Sequence, residues 1–305
     1  MNAAIRAVVR SASARKCEVI GIRRGYAGLI AGDLQKLSLS SVSGIVNHGG
    51  TLLLTARSAE FMTRAGQRKA VEVLTRAQID GLVAIGGDGT FRGAQVLSQD
   101  WKVPVVGLPA SIDNDVAGSD YSIGFDTAIN TALQAIDKIR DTAVSHDRVF
   151  IVEVMGRNNG FIALAVGLAA GVEAILVPEL PLDLEGVARR MRAGVARGKL
   201  SSIIVVAEGA ARADAVGEEI ERLTGFETRR TVLGHVQRGG APSAFDCILA
   251  SRLGAAAVDL LCHDQTGRMV GLRDGEVITR PFGVARRMKK RIDRRLHRLA
   301  QTLSK

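Results

Sequence analysis

Leu82-Val83-Ala84-Ile85-Gly86-Gly87-Asp88-Gly89-Thr90 is the stretch that decides the fold. An apolar run that ends in glycines and passes straight into a helical pattern reads as a buried strand, a tight turn and a helix N-terminus. Such a turn cradles phosphate: glycines let the backbone approach an anion, and the first N–H groups of the helix have no partner within it. Asp88 adds a hard oxygen donor of the kind Mg²⁺ takes. Read alone, the stretch also suits a plain βα turn capped by Asp88.

Outward from it, short β-branched runs alternate with longer amphipathic stretches. Residues 19–22, 82–85, 103–108, 149–154, 175–177, 203–207 and 231–233 read as strands of parallel sheets. Residues 65–77, 127–140, 184–196, 213–223 and 244–262 carry helical periodicity. This is the pattern of a doubly wound α/β protein, in which ligands belong at the C-terminal ends of strands. No solenoid repeat, low-complexity tract or Pro/Ser-rich linker interrupts it. The expected organisation is two Rossmann-like units: residues 1–124 with 238–305 for nucleotide and metal, and residues 125–237 for the acceptor.

With 47% hydrophobic and 24% charged residues in a chain of 305, there is apolar material for well-buried cores, which sets disorder aside. No apolar run approaches the roughly 20 residues of a membrane span. Cys17, Cys247 and Cys262 have neither CxxC nor Cys/His spacing, so neither a disulfide framework nor a zinc site is indicated, and a reducing cytoplasm fits. Residues 1–16 are rich in Ala, Arg and Ser, superficially like a transit peptide. Arg6 and Arg10 interrupt any apolar core there, however, and Ile5, Val8 and Val9 at helical spacing read as a packed helix.

The net charge of +10 is concentrated in residues 286–305, where nine Lys/Arg face the single acid Asp293. Met288, Ile292, Leu296, Leu299 and Leu303 recur there at helical spacing, so the tail reads as a closing amphipathic helix with a basic outer face. No aromatic residues interleave with the charges, which disfavours nucleic acid as a partner.

The second chemical string is Pro109-Ala110-Ser111-Ile112-Asp113-Asn114-Asp115, at the end of the strand at 103–108. Asp113 is placed to take a proton from an attacking hydroxyl while Asp115 holds a metal or shapes the site, and phosphoryl transfer rests on such positioning. Asp and Asn are also ordinary turn residues. Together with Met155-Gly156-Arg157 and GHVQRGG at residues 234–240, the two strings occur in an order that resembles the bacterial 6-phosphofructokinase family, from residue 1 to about 280.

That resemblance implies ATP-dependent phosphorylation of fructose 6-phosphate at its 1-hydroxyl, with Mg²⁺. It implies Asp113 as general base, aided by Ser111 and Arg157. It places Ser111, Ile112, Asp113, Arg148, Met155, Gly156, Arg157, Glu208, Arg229, His235 and Arg238 on the sugar phosphate, with guanidinium forks suited to phosphate. It places Arg57, Ser58, Gly87, Asp88, Gly89 and Thr90 on the nucleotide, and Asp88 on the metal. Arg148 and Arg229 are expected to reach a neighbouring subunit's site in a homotetramer.

Gly89 favours ATP over pyrophosphate, because a carboxylate there would crowd and repel a nucleotide; Ala110 fits neither pattern. Arg6, Arg10, Arg140, Glu173, Arg197 and Lys199 stand at the family's effector positions, while Leu39 and Leu200 depart from them, so altered effector control is expected. The family opens with a strand and a TSGGDAPG loop, and the cellular protein is expected to carry them ahead of Met1. The rival readings are a pyrophosphate-dependent enzyme, a non-catalytic sugar-phosphate sensor and a basic nucleic-acid binder.

Overall fold

A computed structural model of the chain describes residues 1–143, 148–198, 202–287 and 290–304. In chain order the elements begin with α1 (Asn2–Ala14), β1 (Val19–Ile22), α2 (Gly25–Ala31), β2 (Leu34–Leu37), α3 (Arg64–Arg76), β3 (Leu82–Gly86), α4 (Asp88–Asp100) and β4 (Val105–Pro109). There follow α5 (Phe125–Ala143), β5 (Val149–Val154), α6 (Phe161–Ala170), β6 (Ala174–Leu176), α7 (Leu184–Ala196), β7 (Ser202–Ala207), α8 (Ala213–Thr224) and β8 (Thr228–Val232). The chain closes with α9 (Ala244–Cys262), β9 (Arg268–Arg273), β10 (Glu276–Pro281), α10 (Phe282–Arg287) and α11 (Arg294–Leu303). None of the described helices is long and apolar enough to cross a membrane.

The elements form two compact units. The first comprises Met1–Ser111, Asp115–Gly124 and Ala241–Lys290; the second comprises Ile112–Asn114, Phe125–Gly240 and Arg291–Lys305. Residues 291–305 of the basic tail therefore group with the second unit, whereas the sequence reading placed the whole tail with the first.

In the first unit the sheet order is β10-β9-β4-β3. β3, β4 and β9 run parallel and β10 returns antiparallel from β9. Side chains alternate between two faces, as a pleated strand requires. Ala84, Val105 and Met269 meet Phe91, Leu97 and Phe282 on one side. Val106, Leu108, Val270 and Leu272 meet α1 and α9 on the other. α1 lies close on α9 because the contact is made of small residues: a Cβ on Gly254 would stand 2.7 Å from the Ala7 Cβ.

The strand at 19–22 is not part of this parallel sheet. β1 pairs antiparallel with β2 in a separate two-stranded sheet. A cavity of about 880 Å³ runs along the outer edge of β3, lined among others by Ile5, Val9, Ile20, Ile22, Val83 and Ile85.

The second unit has the order β6-β7-β5-β8, parallel throughout. Phe150, Val152, Val154, Ile203 and Val205 bury against α5 and α6, while Val149, Ile151, Ile204 and Val206 bury against α7 and α8. Helices on both faces explain why Val149–Val152 and Ile203–Ala207 read as unbroken apolar runs. α11 docks through Ile292, His297 and Ala300, and Leu296, Leu299 and Leu303 stay exposed. The leucine stripe expected to pack is thus not the buried face. The His297 ring lies 3.1 Å from the Ile175 carbonyl, and Ala300 permits close approach. Met288 lies outside the described residues.

Gly254→Val is expected to cost about 1–3 kcal/mol by overpacking the α1–α9 contact, measured as a lowered urea midpoint.

Candidate active site

On the first unit, β3 delivers the chain to the N-terminus of α4. Gly86 is required there, since a Cβ would fall 2.2 Å from Thr90 Oγ1. Gly87 precedes the helix in an extended conformation, and Asp88, Gly89 and Thr90 form the first turn. A Cβ on Gly89 would meet nothing within 4 Å, so the chain's own packing does not demand glycine and the space beyond it stays open. The Tyr26 hydroxyl donates to the Thr90 carbonyl at 2.6 Å, and its ring stacks on Phe61 with centroids 4.1 Å apart. Burial pushes that phenol's pKa up, which keeps it a donor.

Asp88 Oδ2 is held 2.7 Å from Arg92 one turn along α4. Among the described residues no cluster of three His, Cys, Asp or Glu gathers for a metal. A lone carboxylate at a helix N-terminus nevertheless fits Mg²⁺, which binds through one or two carboxylates together with substrate phosphates and water. Arg57 is exposed in the loop before α3. Beside it, Ser58 Oγ accepts the Phe61 N–H at 3.2 Å.

β4 runs in register with β3 as far as Gly86 opposite Pro109, and the Ala110 N–H continues the ladder to the Gly86 carbonyl at 2.9 Å. The Ser111 N–H donates to the Ile123 carbonyl, the Ser111 carbonyl accepts from Ser122 Oγ at 2.7 Å, and Ser111 Oγ donates to Asp115 Oδ1 at 3.2 Å. Lys290 Nζ donates to the Asp120 carbonyl at 2.6 Å. Burial pushes its pKa down to about 8, against the pull of Asp120 and Asp115.

The second unit holds Asp113, 3% exposed, with its Oδ2 3.2 Å from Arg157 Nε. Ile112 packs on that unit's core, and Asn114 takes the left-handed conformation that Asn tolerates, with φ of 51°. Arg157 sits in the turn after β5, and Glu208, after β7, fixes that turn. One oxygen, Glu208 Oε1, accepts the N–H groups of Gly156 at 3.0 Å and Arg157 at 2.7 Å. A Cβ on Gly209 would lie 2.1 Å from the Arg157 carbonyl, so the two turns touch. The Met155 N–H is taken by buried Gln237 Oε1 at 2.8 Å. Gln237 belongs to the turn Gly234–Arg238, which leaves His235 and Arg238 exposed.

Arg148 and Arg229 are brought together, but elsewhere. Both pair with Glu227, Arg148 Nε at 3.0 Å from Oε2 and Arg229 to Oε1. They stand at the N-terminal ends of β5 and β8, whereas Met155, Arg157 and Glu208 follow the C-terminal ends of β5 and β7. Of the expected effector residues, Arg140 donates to the Ala170 carbonyl at the end of α6. Glu173 is buried and Arg197 caps α7. Arg6 and Arg10 lie on α1, while Lys199 and Leu200 fall outside the described residues.

The glycine turn at a helix N-terminus on one sheet, and on the other the buried Asp113 paired with the exposed Arg157, stand beside the following comparisons. The model of the phosphofructokinase family matches residues 1–261. The chain belongs to the phosphofructokinase family. It is 58% identical to ATP-dependent 6-phosphofructokinase 1 of Thermus thermophilus, with 100% of this chain and 95% of that relative covered. It is 54% identical to the ATP-dependent 6-phosphofructokinase of Halalkalibacterium halodurans, over the same shares. A solved phosphofructokinase structure from Saccharomyces cerevisiae superimposes with a TM-score of 0.88 at 36% identity; the match covers 93% of this chain and 43% of that one. The chain therefore spans less than half of the yeast chain, and its fold is that of the phosphofructokinases.

Tyr26, Gln237, Glu227 and Lys290 escaped the sequence reading as functional supports. Gln237 alone carried a signal, as the amide inside the GHVQRGG string.

Gln237→Leu leaves the Met155 N–H without its acceptor and is expected to cost about 1–3 kcal/mol of stability in urea unfolding. Lys290 has a lower pKa folded than unfolded, so its charge opposes folding fully below pH 8 and progressively less between pH 8 and the unfolded value of 10.5. Stability measured at pH 7.5 and 9.5 should therefore contain a rise that Lys290→Met removes.

Proposed function

We propose that this phosphofructokinase transfers the γ-phosphoryl group of ATP to the 1-hydroxyl of fructose 6-phosphate, with Asp113 as general base. The observation that carries this reading is the buried Asp113 carboxylate, oriented at 3.2 Å by Arg157 from a turn that Glu208 fixes. As the acceptor hydroxyl attacks, its proton passes to an Asp113 oxygen. The Arg157 guanidinium, 60% exposed, can then turn toward the charge gathering on the phosphoryl oxygens. Ser111 Oγ reaches the same group by rotating away from Asp115.

The donor side is served by the N–H groups at the start of α4 and by Arg57 and Ser58, with open space beyond Gly89 for a nucleotide. Asp88 would hold Mg²⁺, which when bound would supply positive charge beside the transferring group. Acceptor recognition falls to Met155, Gly156, Arg157, His235, Arg238 and Glu208, whose Oε1 is already committed to the turn.

Arg148 and Arg229 cannot serve that same pocket, because the six residues of β5 separate the two ends by ~20 Å at about 3.3 Å per residue. They serve the sugar phosphate of a neighbouring copy in a homotetramer working in the cytoplasm. Arg6, Arg10, Arg140, Glu173, Arg197 and Lys199 form an anionic-effector site with altered response. The relatives' names favour ATP over pyrophosphate as donor.

Asp113→Ala is expected to lower kcat by about 10²–10⁴ with ATP in a coupled assay; unchanged turnover would refute the assignment. Mixing inactive Asp113→Ala and Arg229→Ala proteins after dissociation should restore activity through hybrid sites. Absence of restoration would place Arg229 in its own chain's site.

A further inference from the structure

The exposed thiols of the first unit are arranged as a pair. α1 and α9 run side by side in the same direction, and successive contacts set their register. Ala7 faces Gly254, and further along both helices the Arg15 guanidinium pairs with the Asp259 carboxylate. Cys17 lies two residues past Arg15 and Cys262 three past Asp259, so each chain reaches its cysteine at the same level.

The end of α1 is fixed. The N–H groups of Arg15 and Cys17 both donate to the Ala12 carbonyl, and Lys16 turns the chain with φ of 60°. Cys262 is the last residue of α9. Both cysteines are exposed and both line the cavity beside β3, and the Cys17 thiol donates to the Arg15 carbonyl at 3.7 Å. Cys247 stands apart, half-buried with its thiol 3.7 Å from the Val46 carbonyl.

We propose that Cys17 and Cys262 form a reversible intrachain disulfide, a redox-responsive staple between the ends of α1 and α9. The co-reactant is a low-molecular-weight disulfide. One cysteine thiolate attacks a sulfur of that disulfide and expels one thiolate. The second cysteine, losing its proton to water, attacks the resulting mixed disulfide and expels the other. In sum two protein thiols are oxidised to one disulfide, and one small disulfide is reduced to two thiols. Burial and the neighbouring Cys17 push the Cys262 thiol's pKa up, so the exchange accelerates as pH rises. Stapling ties the helix bearing Arg6 and Arg10 to the long helix behind the sheet.

The test uses the full chain with oxidised glutathione as the probe, followed by acid quench, alkylation and non-reducing peptide mapping. Reactive thiols should fall from three to one per chain, at monomer mass, with the peptides of Cys17 and Cys262 linked and Cys247 alkylated. Dithiothreitol should reverse the change. Cys17→Ser, a conservative exchange at an exposed position, should stop at a glutathione adduct on Cys262. The proposal is overturned if Cys17 and Cys262 each retain glutathione without linking, if the cross-link joins two chains, or if all three thiols stay reactive.

Discussion

One carboxylate oxygen sets the geometry on which the acceptor side depends. Glu208 Oε1 takes two successive backbone N–H groups at 3.0 and 2.7 Å and so holds the turn from which Arg157 reaches Asp113. A charged acceptor on two amide donors is stronger than its neutral counterpart. It also removes the freedom that glycine brings to the turn, where Gly156 has φ of 146°. Gly209 lets the two turns touch, and Gln237 secures the residue before them. The guanidinium is thus aimed by backbone contacts and needs no substrate to be in place.

Strand direction then divides the labour. Parallel pairing puts every C-terminal end of the second sheet on one side, and the turns that follow β5 and β7 carry Met155, Arg157 and Glu208. The N-terminal ends of β5 and β8 carry Arg148 and Arg229, both paired with Glu227. On the first unit the same logic places the glycine turn and the string after β4 together, through the register of Gly86 with Pro109.

Much of this was legible in the sequence for a physical reason. β5 and β7 are buried on both faces and had to be written in continuous apolar residues, and glycine turns and Asp-rich strings announce themselves by residue type. Direction was not legible in short strands: residues 19–22 looked like the rest yet pair antiparallel. α6 was missed because it is apolar all round and so hides its period. The β9–β10 hairpin did carry a signal, Asp274-Gly275, with φ of 51° and 82° at its turn, that the reading passed over. In the tail, a strong leucine stripe misled, because burial went to His297 and Ala300. In the site, the Asp-rich string after β4 pointed to Asp113 by residue type, and Arg157 entered only through the family resemblance. Tyr26 and Gln237 meet partners remote in sequence, Thr90 and Met155, as Glu227 does with Arg148, and pairings of that kind are not encoded by a local pattern.

β8 is the outer strand of the second sheet, with Arg229 and Arg230 exposed and Val232 exposed beside them. An unpaired strand edge invites other chains to add to it, and charged side chains along the edge deter them. The exposed arginines of β8 thus also guard the sheet against aggregation, and a chain that loses them puts its solubility at risk.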